Sequence, residues 1–175
     1  MPDVVRICIA ALAWLAVVPA SAAEPRAAGA ERHAVEQVMR AYEDAWSRHD
    51  AHAIAGFYYE PATRVSPNGP VVRETRGVQE AFFRGLLARL VRQGFASSGW
   101  QTLEVRLLDA NTAIASGVIV RRRADGSVFQ RQGVTYDLWR TGEGWKIFLS
   151  ATHAPGAALR FAPGNAHASV PHGGG

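Results

Sequence analysis

His49 and His52 flank Asp50, and imidazoles with a carboxylate form a donor set for a transition metal. All three fall at a junction between helices, where solvent and a helix cap account for them. His167 and His172 lie in a Gly-rich tail, too loosely placed to fix a metal's geometry. Arg121-Arg122-Arg123 reads first as a nucleic-acid patch. Alternate residues of a strand face opposite sides, so the run presents no flat basic face and reads as a solvated hairpin end. Its charge gives at most a weak attraction to anionic surfaces or ligands. Cys8 is the only cysteine, and no Ser-His-Asp spacing, Gly-rich phosphate loop or metal signature is present. What remains is phenol, hydroxyl and carboxylate chemistry: Tyr42, Ser66, Ser116, Thr135, Asp137 and Ser150, with Glu60 and Glu74 nearer solvent. Such groups do acid/base work without a metal or cofactor.

These residues need elements to hold them. Val35, Val38, Met39, Tyr42 and Trp46 follow the three-and-four spacing of an amphipathic helix. Asp50 caps a second, short helix carrying Ile54, Phe57 and Tyr58, which Pro61 ends. Residues 62–65 and 71–74 read as short strands around the turn Ser66-Pro67-Asn68-Gly69-Pro70. A third helix starts near Gly77, with Val78, Phe82, Phe83, Leu86, Leu87 and Leu90 on its apolar face, and stops at Gly94. Four strands follow over 100–108, 112–123, 128–140 and 145–152. Asp125-Gly126 and Gly142-Glu143-Gly144 are the hairpin turns between them. The expected fold class is α+β, in the order ααββαββββ, with three helices packed on a strongly curved antiparallel sheet.

The turns also predict registers. A two-residue loop at Asp125-Gly126 sets Asp137 opposite Ile114 and Thr135 opposite Ser116. The Gly142-Glu143 turn sets Asp137 opposite Phe148 and Thr135 opposite Ser150. One sheet face then carries Thr135, Asp137, Trp139, Ser116, Phe148, Ser150 and Thr152, mixing hydroxyls with apolar groups. The other carries Val134, Tyr136, Leu138, Ala113, Ala115, Ile119, Ile147 and Leu149, and is drier. The mixed face suits a pocket lining under the helices. The dry face suits a two-fold dimer contact.

Several stretches carry a family resemblance: Val38-Met39-Arg40-Ala41-Tyr42-Glu43-Asp44-Ala45-Trp46, His49-Asp50-Ala51, Ile54-Ala55-Gly56-Phe57-Tyr58, Asp137-Leu138-Trp139-Arg140 and Gly144-Trp145-Lys146-Ile147. With the element order, they resemble the SnoaL-like proteins of the nuclear transport factor 2-like superfamily. The resemblance spans nearly all of the compact domain and implies a cone-shaped, cystatin-like α+β barrel. It says little about function, because the superfamily includes polyketide cyclases, ketosteroid isomerases, scytalone dehydratase and non-catalytic association domains. The ketosteroid isomerases imply an oxyanion-donating role for Tyr42 and a protonated-acid role for Asp137. Their aspartate base is matched by Ser66, and a lone serine does not abstract a carbon-bound proton. Steroid isomerisation is therefore not expected.

The N-terminus reads as a cleavable secretory signal over residues 1–22: Arg6, an apolar run from Ile7 to Val18, then small residues at Ala20 and Ala22. Residues 23–32 read as a leader, 33–154 as the SnoaL-like domain and 155–175 as a flexible tail. Periplasmic or secreted localisation follows, with no stable membrane insertion after cleavage and no nucleic-acid partner. The 19 Lys and Arg against 15 Asp and Glu leave a net charge of +4, a mild basic excess. The leading functional expectation is a small, largely apolar ligand in the cone, contacted by Tyr42, Trp46, Tyr58, Phe82, Trp139 and Phe148. Ser66, Ser116, Thr135, Asp137 and Ser150 would orient its polar atoms. If the domain is an enzyme, Tyr42 and Asp137 are the catalytic candidates for isomerase-, dehydratase- or cyclase-like chemistry. The alternative is a non-catalytic homodimeric interaction module of the cell envelope, joined through the outer sheet face.

Overall fold

The computed structural model describes residues 23–162. The signal reading of residues 1–22, and His167 and His172 in the tail, lie outside them. Helix α1 (Ala23–Ser47) is followed by α2 (Ala51–Gly56), β1 (Tyr58–Ser66), β2 (Gly69–Arg73), α3 (Arg76–Arg92), β3 (Ser97–Leu107), β4 (Thr112–Arg122), β5 (Val128–Thr141) and β6 (Gly144–His153). A 3-10 turn at Pro155–Ala157 ends the ordered elements. No helix among the described residues is long and apolar enough to cross a membrane.

The apolar stripe of α1 behaves as its spacing predicts, since Val35, Met39, Tyr42 and Trp46 are all buried. Residues 23–32 belong to this helix and are not a separate leader. Glu31 anchors that end, accepting from Trp145 Nε1 at 3.2 Å and pairing with Arg140 at 2.6 Å. At the other end, Ser47 Oγ accepts from Ser98 N at 2.9 Å and Trp100 Nε1 donates to Met39 O at 3.0 Å, fixing α1 along β3. Asp50 caps α2 as expected, its side chain accepting from Ala53 N at 2.9 Å. Tyr58, however, opens β1 and does not belong to the short helix. Thr75 caps α3, and Gly94 at φ +94° lets the chain turn away after it. The buried stripe of α3 is Gln79, Phe83, Leu87 and Leu90, rotated from the expected one, so that Val78 is exposed.

The six strands form one sheet in the order β2-β1-β6-β5-β4-β3. It is not purely antiparallel, because β1 runs parallel to β6. The β4–β5 register is the predicted one over most of its length, with Asp137 opposite Ile114 and Thr135 opposite Ser116. The loop that sets it differs. Arg123 N donates to Ser127 O at 2.9 Å, so three residues form the loop, and an irregularity between Arg121 and Arg122 restores the count. In β5–β6 the register shifts between Leu138↔Ile147 and Asp137↔Leu149. That bulge places Phe148 out of sequence and reverses the parity of β6 beyond it.

The faces are the reverse of the expectation. The helices cover the dry face, and Ala113, Ala115, Ile119, Val134, Tyr136, Leu138 and Ile147 are buried beneath them. Burying apolar area gains roughly 25 cal/mol per Å². The face with fewer hydroxyls therefore wins the helices, and Asp137 with Thr135 and Trp139 faces outward. Part of that outer face is covered by the chain itself. Leu159 N donates to Ser116 Oγ at 3.0 Å, and Phe161 N donates to Glu104 Oε2 at 2.7 Å. Residues 155–162, read as tail, are thus laid against the sheet.

Candidate functional site

Tyr42 and Glu43 are consecutive on α1, and both are buried. With Trp46 one turn on, they face Tyr58 and Arg64 of β1, Phe83 of α3, Arg121 of β4, Gln132 and Tyr136 of β5, and Ser150 and Thr152 of β6. These side chains enclose a cavity of about 20 Å³. That is room for one water molecule. The rest of the interior is filled by rings. Tyr42 meets Trp46, Phe57, Tyr58 and Tyr136 edge-on, at centroid distances of 6.3, 5.7, 5.9 and 5.6 Å. The Tyr42 and Tyr58 hydroxyls are hydrogen-bonded at 2.8 Å.

Among the described residues, Glu43 is the one buried carboxylate. Ser98 Oγ donates to its Oε2, while Oε1 is buried and has no hydrogen-bond partner. Burial pushes the carboxyl from 4.5 up to about 7, and the Ser98 hydrogen bond and the Arg121 charge oppose that rise. Burial also raises Tyr42 and Tyr136 well above the ordinary tyrosine value, and Tyr58 less, because hydrogen bonds from Tyr42 and Ser150 stabilise its anion. All three phenols are therefore protonated donors at neutral pH. Arg121 is buried too, and burial lowers its pKa against the pull of Glu43. Its Nη1 donates to Gln130 Oε1 at 3.1 Å, its guanidinium lies 4.8 Å from the Trp46 ring centroid, and its Nε is unpartnered. Arg64 also lines the cavity, and Arg73 shares the Phe82 ring with it. Arg73 lies 3.6 Å from the Phe82 ring centroid, and Arg64 lies 5.4 Å from it.

The predicted site residues divide. Tyr42, Trp46, Tyr58 and Ser150 meet at the cavity, and Phe82 does not line it but packs against Phe83, which does. Ser150 arrives there only through the β6 bulge. Asp137, Thr135, Ser116, Trp139 and Phe148 are not with them. Asp137 is half-buried on the outer face, where burial raises its carboxyl pKa, and it cannot act beside Tyr42. Ser116 and Thr135 share a 2.8 Å hydrogen bond, and Thr135 meets His153 Nε2 at 3.0 Å on that same face. Trp139 and Phe148 line a shallow outer hollow with Tyr59 and Pro61. Ser66 is a turn residue, accepting from Asn68 N at 3.3 Å. Sequence reasoning missed Glu43, Arg64, Arg121 and Tyr136. The signals were present: Glu43 is four residues after Met39, and Arg121 has the parity of buried Ile119 and Ala115.

A family model described as an NTF2-like protein (DUF6841) matches residues 30–155. No curated protein matches the chain. Among solved structures, an NTF2-like protein with a cystatin-like fold from Novosphingobium aromaticivorans is 17% identical, with a TM-score of 0.62 over 79% of this chain and 90% of that one. A cystatin-like domain from Nostoc punctiforme is 19% identical, with a TM-score of 0.58 over 72% of this chain and 77% of its own. A proposed dehydratase of the NTF2-like family from Streptomyces avermitilis is 17% identical, with a TM-score of 0.55 over 73% of this chain and 96% of its own. At these identities the likeness is one of fold.

Proposed function

The chain belongs to the NTF2-like family DUF6841, and we propose that it handles a small molecule by metal-free acid/base chemistry inside its helix-covered sheet. One observation carries the reading: Glu43 Oε1 is buried at the cavity without a partner, on a carboxyl poised near pH 7. A group with that pKa both takes and gives a proton near neutrality, which is what general acid/base catalysis asks for. Tyr42, Tyr58 and Tyr136 are neutral donors aimed at the same small space. They would stabilise oxyanion charge developing on a substrate, and Arg121 adds fixed positive charge. Glu43 thus takes the place that the sequence reading left without a base. A substrate displaces the water-sized void and moves the Phe83 and Trp46 rings, which close over it. The protein acts after export, in the periplasm or beyond, on the signal-like pattern of residues 1–22.

The experiment is exchange of enolisable carbonyl compounds with solvent deuterium, followed by proton NMR. The purified chain should accelerate exchange on at least one compound of a panel, and Glu43→Gln should abolish the acceleration. Equal rates for wild type and variant would remove Glu43 from the chemistry.

A second reading has its own observation. Tyr59, Pro61, Trp139 and Phe148 leave an outer hollow of about 300 Å³, and Trp139 is 43% exposed. An apolar patch of this kind suits a homodimer contact in a non-catalytic envelope module.

A further inference from the structure

Arg64, Arg73 and Arg121 form a row along one side of the interior. Arg64 and Arg121 line the cavity, and Arg64 and Arg73 share the Phe82 ring. Among the described residues none of the three belongs to an ion pair. Arg73 and Arg121 are nevertheless 9% and 8% exposed. Burying a guanidinium costs several kcal/mol unless an anion or a set of acceptors compensates. Gln130 supplies one acceptor to Arg121, whose Nε is left bare. Burial lowers the pKa of both Arg73 and Arg121, and the like charge of Arg64 adds a smaller push in the same direction. Glu43 attracts Arg121 without forming an ion pair with it, and burial disfavours its charged form.

We propose that this row binds the carboxylate of an aromatic or planar anionic small molecule, whose charge sits on the arginines and whose ring displaces the Phe83 and Trp46 side chains, because the cavity they line holds only about 20 Å³. The inference deepens the acid/base reading above and rests on its cavity. Planar guanidinium forks match a planar carboxylate in a bidentate way. The guanidinium carbons of Arg64 and Arg73 lie 5.4 and 3.6 Å from the Phe82 ring centroid, so one ring holds both cations side by side. The expected ligand is therefore an acid, not the largely apolar molecule that composition suggested.

The test uses benzoate, benzamide and inorganic phosphate as probes of the purified chain, by calorimetric titration and thermal unfolding. Benzamide keeps benzoate's shape and lacks its charge. Benzoate should bind at least about tenfold more tightly than benzamide, and more weakly as salt rises. Arg64→Gln should lose about tenfold in benzoate affinity, and Arg64→Lys should recover only part of it. Arg64 is only partly buried, so neither variant should threaten the fold. Equal binding of benzoate and benzamide would overturn the proposal, as would no binding of benzoate. Phosphate binding without benzoate binding would overturn the carboxylate assignment. An ordinary carboxylate titration of Glu43 would sink the acid/base reading while leaving salt-sensitive benzoate binding intact, so the two failures are distinguishable.

Discussion

The Tyr42 and Tyr58 hydroxyls stand 2.8 Å apart, one from α1 and one from the first residue of β1, and both are buried. Each therefore gives the other a hydrogen-bond partner away from water. Tyr42→Phe should cost about 1–3 kcal/mol of unfolding free energy, because it strips a partner from a buried hydroxyl. The double replacement with Tyr58→Phe should cost less than the sum of the single ones, since the second change removes the orphan that the first created. Chemical denaturation of the four proteins of this cycle measures the coupling. Additive losses would mean that the two hydroxyls are satisfied independently.

Glu43 predicts a pH dependence of stability with a definite sign. Folding raises its pKa from 4.5 to about 7. Below the lower value both states hold the proton and burial costs nothing extra. Between the two values the unfolded chain has released its proton while the folded chain keeps it, so stability falls as pH rises. Above the upper value the penalty is constant, on the order of 3 kcal/mol. Thermal unfolding of the wild type should therefore weaken from about pH 5 to about pH 8, and Glu43→Gln should lose most of that slope. Parallel profiles would show that Glu43 titrates in the ordinary carboxylate range.

Asp137 and Tyr136 are neighbours in sequence with opposite fates, and they show what could be read beforehand. The α1 stripe and the turn positions follow from local signals, while the α3 stripe is rotated and the β4–β5 register is reached through a three-residue loop and an irregularity at Arg121–Arg122. Which face the helices choose is a global balance of buried area, and hydroxyls scattered among apolar residues pointed the wrong way. A one-residue bulge at Phe148 carries no sequence mark, yet it decides that Ser150 joins Tyr58 and that His153 joins Thr135. Asp137→Asn should accordingly leave proton-exchange activity unchanged. It should change stability by less than about 0.5 kcal/mol, since the half-buried carboxyl holds no partner in the interior. A loss of activity in this variant, with the fold intact by circular dichroism, would return Asp137 to the site.

The outer face offers a second, independent check. Leu138 is fully buried on the inner face, so a charge there would test folding and not assembly. Trp139 is the residue to change. If two chains meet across the hollow of Tyr59, Pro61, Trp139 and Phe148, Trp139→Asp should convert a dimer to a monomer in analytical ultracentrifugation. Deuterium exchange of an enolisable compound should survive that change, because Trp139 is on the far side of the sheet. An unchanged sedimentation coefficient would place any assembly elsewhere.

The arginine row and Glu43 should be coupled, because an anion held by Arg121 withdraws the charge that steadies the Glu43 carboxylate. The groups facing Glu43 are Arg121 from β4, Tyr136 from β5, Ser98 from β3, and Tyr42 and Asp44 on its own helix. Of these only Arg121 is cationic, so a bound benzoate leaves the carboxylate among phenols, a hydroxyl and another acid. Binding should then favour the protonated carboxyl and draw a proton from solvent. If the pKa rises by about one unit, benzoate affinity gains about fivefold as pH falls from about 8 to about 6. Calorimetry in two buffers of different ionisation enthalpy counts that proton directly. Glu43→Gln should bind benzoate with no proton uptake and no pH dependence across the same range. Proton uptake that persists in the variant would assign the coupling to another group and separate the two halves of the site.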